Sequence, residues 1–386
     1  MRIAHICTKF NRISETFIYE LVQGLEQAGT ENHVMTTVRV NEGERPFVRV
    51  KLLPLSFPQK AAFAIQKHCL GVYRFPLPYR KTRQTLQDIR PDVILAHFGG
   101  AGAAISPAAR DLGIPLVVVF HAFDLFMSHV RPGTYTSLWE SKTQAVAISE
   151  HGKARLIELG CPAERIRIIH CGVDISRFPP VNHPPPQPDA FRLVSIGRLV
   201  EKKGFDDLLH AVAMIRNLTL LPLRLNIWGD GPQRRHLENL AQRLGVKDRV
   251  NFKGEASNRD IPGILREHDA FVLPSRTARN GDREGIPITI LEAQAAGLPV
   301  VATRHAGIPE AIPPSNREWL AEEGNTLDLA GKLRSLSSQP DQWDNIGRRG
   351  RAWVLRHFTL QEEVSVYLGL FTTLPSLASP LRSGRA

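Results

Sequence analysis

The sequence predicts an α/β protein made of two doubly wound parallel-sheet domains joined by a proline-rich linker. Three observations carry this. The chain has 386 residues, long for a single hydrophobic core. Short apolar runs alternate with segments of helical periodicity along nearly all of it. Between two such series stand Pro179, Pro180, Pro184, Pro185, Pro186 and Pro188, a stretch that fits neither a strand nor a helix interior and reads as extended.

In the first series the expected strands are residues 3–7, 33–37, 93–96, 116–120, 144–148 and 166–169. A helix is expected over 16–28, where Phe17, Leu21 and Leu25 share one face and Ser14 stands in front as a cap. The second series gives strands at 191–195, 223–228, 250–252, 270–273 and 299–303, with helices at 206–215, at 232–244 and from about 286. From about 327 the chain is helical and charged, and 364–371 is expected to pack back on the first domain. The domain reading is therefore 1–180, a linker at 181–190, 191–355, a returning helix at 356–374, and a tail at 375–386 with the composition of a disordered segment. Ligands of such sheets bind at the carboxyl ends of the strands, so a cleft between the two domains is the expected site.

No apolar run approaches the roughly 20 residues that span a bilayer, and the opening MRIAHICTKF reads as a strand entering a polar loop rather than a secretory signal. Cys7, Cys69, Cys161 and Cys171 lack metal-ligand or redox spacing, which suits buried thiols in a reducing compartment, hence a cytoplasmic protein. The net charge of +11 calls for an anionic partner. Nucleic acid is not expected, because no binding motif or aromatic–basic interleaving is present. An anionic membrane face and a polyanionic ligand fit the charge equally well.

Chemistry-bearing residues gather at expected strand ends. After strand 191–195 comes SIGRLVEKKG, in which Arg198 offers a planar fork for phosphate oxygens and Lys203 a mobile charge; a solvated basic loop is the alternative. The motif lacks the glycine spacing of a dinucleotide site and the lysine of a P-loop. WGDGP at 228–232 allows close backbone approach, or is a plain turn. Glu284 and Glu292 bracket the start of a helix whose first N–H groups make an anion site. The alternative is Glu284 as a cap and Glu292 in solvent. In the first domain His97 follows one strand and His121, with Asp124 three residues on, follows another; they are cleft residues or satisfied core polar groups.

GRLVEKKG at 197–204, GDGP at 229–232, PS at 274–275, EGIPITILEA at 284–293, GLPVVATRHAGIPE at 297–310 and HCGVDISRF at 170–178 together resemble the retaining GT-B glycosyltransferases of family 4. The similarity runs over nearly the whole chain in order. FNRISETFI at 10–18, FHAFDL at 120–125 and RNGDREGIP at 279–287 are similar to bacterial exopolysaccharide glycosyltransferases of the colanic acid and amylovoran type.

The resemblance implies a GT-B fold: two Rossmann-like domains facing a deep cleft, the first binding acceptor and the second a nucleotide-sugar. It implies that Arg198 and Lys203 bind the donor diphosphate. Glu292 would meet the ribose, and Glu284 with the backbone of Gly285, Ile286 and Pro287 the donor sugar. His121 matches the active-site histidine beside the transferred sugar, with Asp124 its acceptor-side neighbour. Phe252 and Gly254 lie where the nucleobase loop belongs. The family's glycine-rich N-terminal loop is replaced by Ser14-Glu15-Thr16, which with His97 is placed on the acceptor side. The segment after Glu310 departs from the family pattern without a functional account.

The expected reaction is transfer of a hexose from UDP- or GDP-hexose, with retention, to a hydroxyl of a saccharide or polyprenyl-diphosphate-linked acceptor. No D-x-D cluster offers a metal site, and Asp206-Asp207 reads as helix capping. No cofactor or metal is therefore expected beyond the nucleotide-sugar. The basic segment 45–83 is expected either to dock on the anionic inner face of the cytoplasmic membrane or to be a solvated helix. The rivals are a GT-B nucleotide-sugar epimerase, a pyridoxal-dependent phosphorylase and a silent nucleotide-sugar-binding subunit.

Overall fold

Strands whose side chains are apolar on both faces are stable only with cover on both sides, and parallel sheets result. The computed structural model describes residues 1–12, 15–58, 75, 77–141, 143–180, 190–219 and 221–374. The chain divides into two units, Met1–His170 with Leu360–Ala386, and Cys171–Thr359. Ser14, Cys69, linker residues 181–189, most of 59–76 and the tail 375–386 lie outside the described residues.

The first unit holds β1 (Arg2–Phe10), β2 (Glu31–Arg39), β3 (Val50–Leu52), β4 (Val93–His97), β5 (Leu116–Phe120), β6 (Gln144–Ala147) and β7 (Ile166–Ile168), all parallel, in the order β3-β2-β1-β4-β5-β6-β7. Alternate residues separate the two cores. Ala4, Ile6, Ile94, Ala96, Val118 and Phe120 pack into one, and Cys7, Phe10 and Val34 into the other with Ile18 and Val22 of the Thr16–Gln27 helix. The Leu360–Thr373 helix packs on that same helix.

The second unit repeats the plan with β8 (Phe191–Ile196), β9 (Leu223–Trp228), β10 (Val250–Gly254), β11 (Ala270–Leu273), β12 (Val300–Thr303) and β13 (Leu320–Ala321), in the order β10-β9-β8-β11-β12-β13. Leu193, Leu225, Ile227 and Val272 face one core, filled by the Phe205–Ile215 helix; Val194, Phe271, Leu273 and Ala302 face the other, filled by the Ile288–Ala295 helix. In both sheets the order in which strands are added reverses beside the first strand, between β1 and β4 and between β8 and β11, and these are the switch points where open sheets hold ligands. Each unit is thus a doubly wound, Rossmann-like parallel sheet, as the sequence predicts.

Two strands were not expected. β3 and β13 are edge strands of three and two residues, too short to show a period, and pairing with β2 and β12 creates them. Among the described residues no helix is long and apolar enough to cross a membrane.

Candidate functional site

At the switch point of the second unit three loops are tied together: 197–204 after β8, 274–287 after β11 and 304–307 after β12. Gly204 has φ +66°, and a Cβ there would stand 1.9 Å from the Pro274 carbonyl oxygen, so only glycine lets the first two loops meet. The Arg276 N–H donates to the Lys202 carbonyl at 2.8 Å, and the Arg276 guanidinium pairs with Asp206 at 2.7 Å and Asp207 at 2.8 Å. This corrects the capping role expected of the two aspartates: Gly204 is the N-cap, with no side-chain cap bond. Gly204→Ala is expected to cost at least about 3 kcal/mol, combining left-handed backbone strain with steric overlap; the urea midpoint measures it.

Inside this frame the acid and the bases meet. Lys203 Nζ lies 2.9 Å from Glu284 Oε1, and Lys202 Nζ 3.8 Å from Glu284 Oε2. Lys202 also reaches Asp282 Oδ1 at 3.1 Å and donates to the Arg283 carbonyl at 2.9 Å. All three charged side chains are nearly inaccessible. Burial alone would raise the Glu284 pKa, but the charges of Lys202 and Lys203 outweigh it and hold the carboxyl at about 2. Burial depresses the Lys203 ammonium against the pull of Glu284. Glu284 is thus neither a helix cap nor solvated, and Lys203 is not a solvated loop lysine. The Arg198 side chain is exposed and makes no hydrogen bond or ion pair among the described residues, yet its charge is felt by Lys203.

The helix beyond this cluster runs Ile288–Ala295 with Pro287 as an N-cap that makes no side-chain cap bond. Its positive end therefore stays available at the carboxyl edge of the sheet, next to Gly285 and Ile286. Glu292 is 4% exposed, which removes the reading of a solvated side chain. On the other flank Gly229 decides between close approach and a plain turn: a Cβ there would fall 1.9 Å from the Gly197 carbonyl oxygen. The Gly229 N–H donates to the Gly254 carbonyl at 2.6 Å, which brings Phe252 and Gly254 to the same edge.

In the first unit His97 closes a buried polar chain. His5 Nε2 lies 2.9 Å from Asn32 Oδ1 and His5 Nδ1 lies 3.2 Å from His97 Nε2. With the Asn32 amide nitrogen donating to Thr30 Oγ1, the run is ordered as His97 N–H to His5 to Asn32. His97 is therefore a satisfied core residue at the strand end, its Nε2 committed to His5. His121 differs: it is buried between the rings of Phe17 and Phe98, and its Nε2 has no partner among the described residues. Phe98 itself has φ +77°, a strained backbone of the kind that clusters at functional sites.

Asp124 spends both carboxylate oxygens on backbone, accepting from the Gly99 N–H at 2.6 Å and the His121 N–H at 2.7 Å. Through the second of these bonds it holds the backbone of His121 in place. Glu15 precedes the Thr16–Gln27 helix and pairs with Arg12 at 2.7 Å; Thr16 opens the helix half-buried.

These burials set an acid limit. Burial lowers His5 to about 4, His121 to about 3 and His97 well below 6.5, and raises Asp124 to about 7. A histidine depressed on folding contributes stability that is present above pH 6.5 and lost as pH falls toward its folded value. The raised Asp124 acts oppositely, gaining as pH falls through 7. Three histidines against one aspartate leave a net uptake of about two protons on unfolding. The first unit is expected to lose roughly 1.4 kcal/mol per pH unit for each of these between pH 6.5 and 4.5. Denaturation midpoints across that range measure the slope.

Sequence reasoning passed over Lys202, Arg276, Asp282, His305 and Glu323. The Lys202-Lys203 dyad and the acids of RNGDREG were visible signals; the pairing of His305 with Glu323 depends on β13, which had none. Among the described residues no group of three His, Cys, Asp or Glu side chains could hold a metal ion.

Residues 182–353 match the family of glycosyl transferases group 1 and residues 14–177 the model named glycosyltransferase family 4. WcaL of Escherichia coli (strain K12), provisionally named a colanic acid biosynthesis glycosyltransferase, is 33% identical over 287 residues, 72% of this chain and 70% of that protein. The amylovoran biosynthesis glycosyltransferase AmsK of Erwinia amylovora is 35% identical over 256 residues, 64% of this chain and 61% of that one. The structure of Anabaena HepE, solved in complex with UDP and glucose, superposes with a TM-score of 0.78 at 18% identity, covering 97% of this chain and all of that one. The chain belongs to the group 1 glycosyl transferases, and is a GT-B glycosyltransferase that moves a sugar from a nucleotide-sugar donor to an acceptor.

Proposed function

We propose that the chain is a retaining hexosyltransferase of exopolysaccharide or cell-surface polysaccharide biosynthesis, using UDP- or GDP-hexose and a polyprenyl-diphosphate-linked saccharide acceptor. The observation that carries the donor site is the buried Lys203–Glu284 pair beside the exposed Arg198, at the switch point of the second sheet. Arg198 and Lys203 bind the diphosphate and stabilise the charge that develops as it leaves, assisted by the helix N-terminus after Pro287. A carboxyl held at about 2 stays ionised at working pH, so Glu284 accepts hydrogen bonds from sugar hydroxyls and is no proton donor. Glu292 meets the ribose, and Phe252–Gly254 line the base.

Retention follows front-face attack. Glu284 is held by lysines and Asp124 by backbone, so neither is free to serve as nucleophile. His121, neutral with its pKa near 3, offers its unpartnered Nε2 to a hydroxyl. The names of WcaL and AmsK support the polysaccharide pathway, and the UDP bound by HepE supports a uridine donor as the first to try.

A thermal-shift screen of UDP, GDP and ADP with their sugars tests the donor; a ligand at 100 times its Kd stabilises by about 2.7 kcal/mol. Incubation of the stabilising sugar nucleotide with lipid-linked saccharide then gives an extended glycan. Epimerised sugar formed without acceptor overturns the reading.

Exposed Val48, Leu52 and Phe57 in the basic segment favour docking at the inner face of the cytoplasmic membrane. Absence of flotation with anionic liposomes removes that part.

A further inference from the structure

We infer that His305 and Glu323 are positioning residues that set Glu284 for the donor sugar, an inference that rests on the donor-site reading above. The Glu284 N–H points at His305 Nε2, 3.1 Å away, so that nitrogen must accept. The ring proton is then on Nδ1, which donates to Glu323 Oε2 at 2.9 Å. The other oxygen of Glu323 accepts from the Thr277 N–H at 2.6 Å. One histidine and one acid thus clamp both ends of the loop that carries Glu284. His305 is 1% exposed, so its ring has no room to turn away.

The topology explains how the clamp is delivered. His305 follows β12, and the two-residue β13 pairs beside it with Thr303 opposite Ala321, which brings Glu323 to the same carboxyl edge. Glu323 belongs to the stretch after Glu310 where the chain departs from its family's pattern, and the clamp is the role that departure acquires. Lys202 and Lys203 hold the Glu284 side chain from one side while His305 holds its backbone from the other. A carboxylate fixed at both ends meets hydroxyls in one geometry only, and small displacements weaken such contacts steeply.

The test compares free nucleotides with sugar nucleotides by calorimetry: UDP and GDP against UDP-glucose, UDP-galactose and GDP-mannose. His305→Leu is expected to reduce the extra affinity conferred by the sugar about tenfold, with the free nucleotide changed less than twofold. His305→Gln, which keeps an acceptor for the Glu284 N–H, regains most of it. Glu323→Ala, at a partly exposed position, loses about fivefold and carries the test if the leucine variant does not fold.

Glu284→Gln separates the two ideas. If it loses the sugar increment while His305→Leu or Glu323→Ala keeps it whole, the positioning role is overturned. If Glu284→Gln also keeps it, or wild type binds none of the five, the donor-site reading falls and this inference with it.

Discussion

Arg198→Ala is expected to lower kcat by about 10²–10³, the loss seen when one preorganised charge stabiliser is removed, while leaving the melting temperature unchanged. The two halves of this expectation have separate causes. The Arg198 side chain is exposed and makes no hydrogen bond or ion pair among the described residues, so the fold loses nothing when it is truncated. Its charge nevertheless reaches Lys203, which places it within range of an anion bound at the switch point. Arg198→Lys keeps a charge but not the planar fork, and should recover only part of the rate. Single-turnover release of UDP or GDP from the donor measures both variants; wild-type turnover by Arg198→Ala removes it from the site.

Lys203→Ala should do the opposite, unfolding before it informs about rate. Deleting one partner of a buried ion pair strands the other, at a cost of about 3–5 kcal/mol. Lys202 at 3.8 Å remains near Glu284, so a value toward the lower end is expected. Glu284→Gln in the same chain should restore much of the loss, with a coupling of about 1–3 kcal/mol in the double-mutant cycle. The pair also has an acid signature. A carboxyl depressed to about 2 contributes stability that is full above its ordinary value of 4.5 and disappears as pH falls through 2. Lys203→Ala should blunt that limb. Urea titrations at pH 7 and 3 on the four variants of the cycle decide it, and independent effects of the two substitutions would break the assignment.

Much of this was legible before any coordinates. Strands such as Leu116–Phe120 and Leu223–Trp228 are short apolar runs between turn residues, and their type and place follow from burial on both faces. Arg198, Lys203 and Glu284 were legible as chemistry at strand ends. Their mutual arrangement was not: Glu284 lies 81 residues after Lys203 in the chain, and no local pattern announces a 2.9 Å contact across that distance. Asp206-Asp207 shows how local rules mislead. Acids at a helix start normally cap it, but Arg276 on a neighbouring loop competes for both and wins with two charged bonds. Asp124 was legible as a cleft acid, and only the positions of the Gly99 and His121 amides reveal its backbone duty.

The Lys203–Glu284 pair carries a consequence for life among competing anions. A bare cationic cradle would fill with inorganic phosphate or sulfate from the surrounding solution. Here Lys203 is already neutralised by Glu284, so a small anion gains little from it and leaves the carboxylate unsatisfied. A ligand gains the full interaction only if it presents phosphate to the lysine and hydroxyls to the glutamate together. Self-pairing therefore acts as a filter, rejecting simple anions and admitting molecules that carry both groups on one frame.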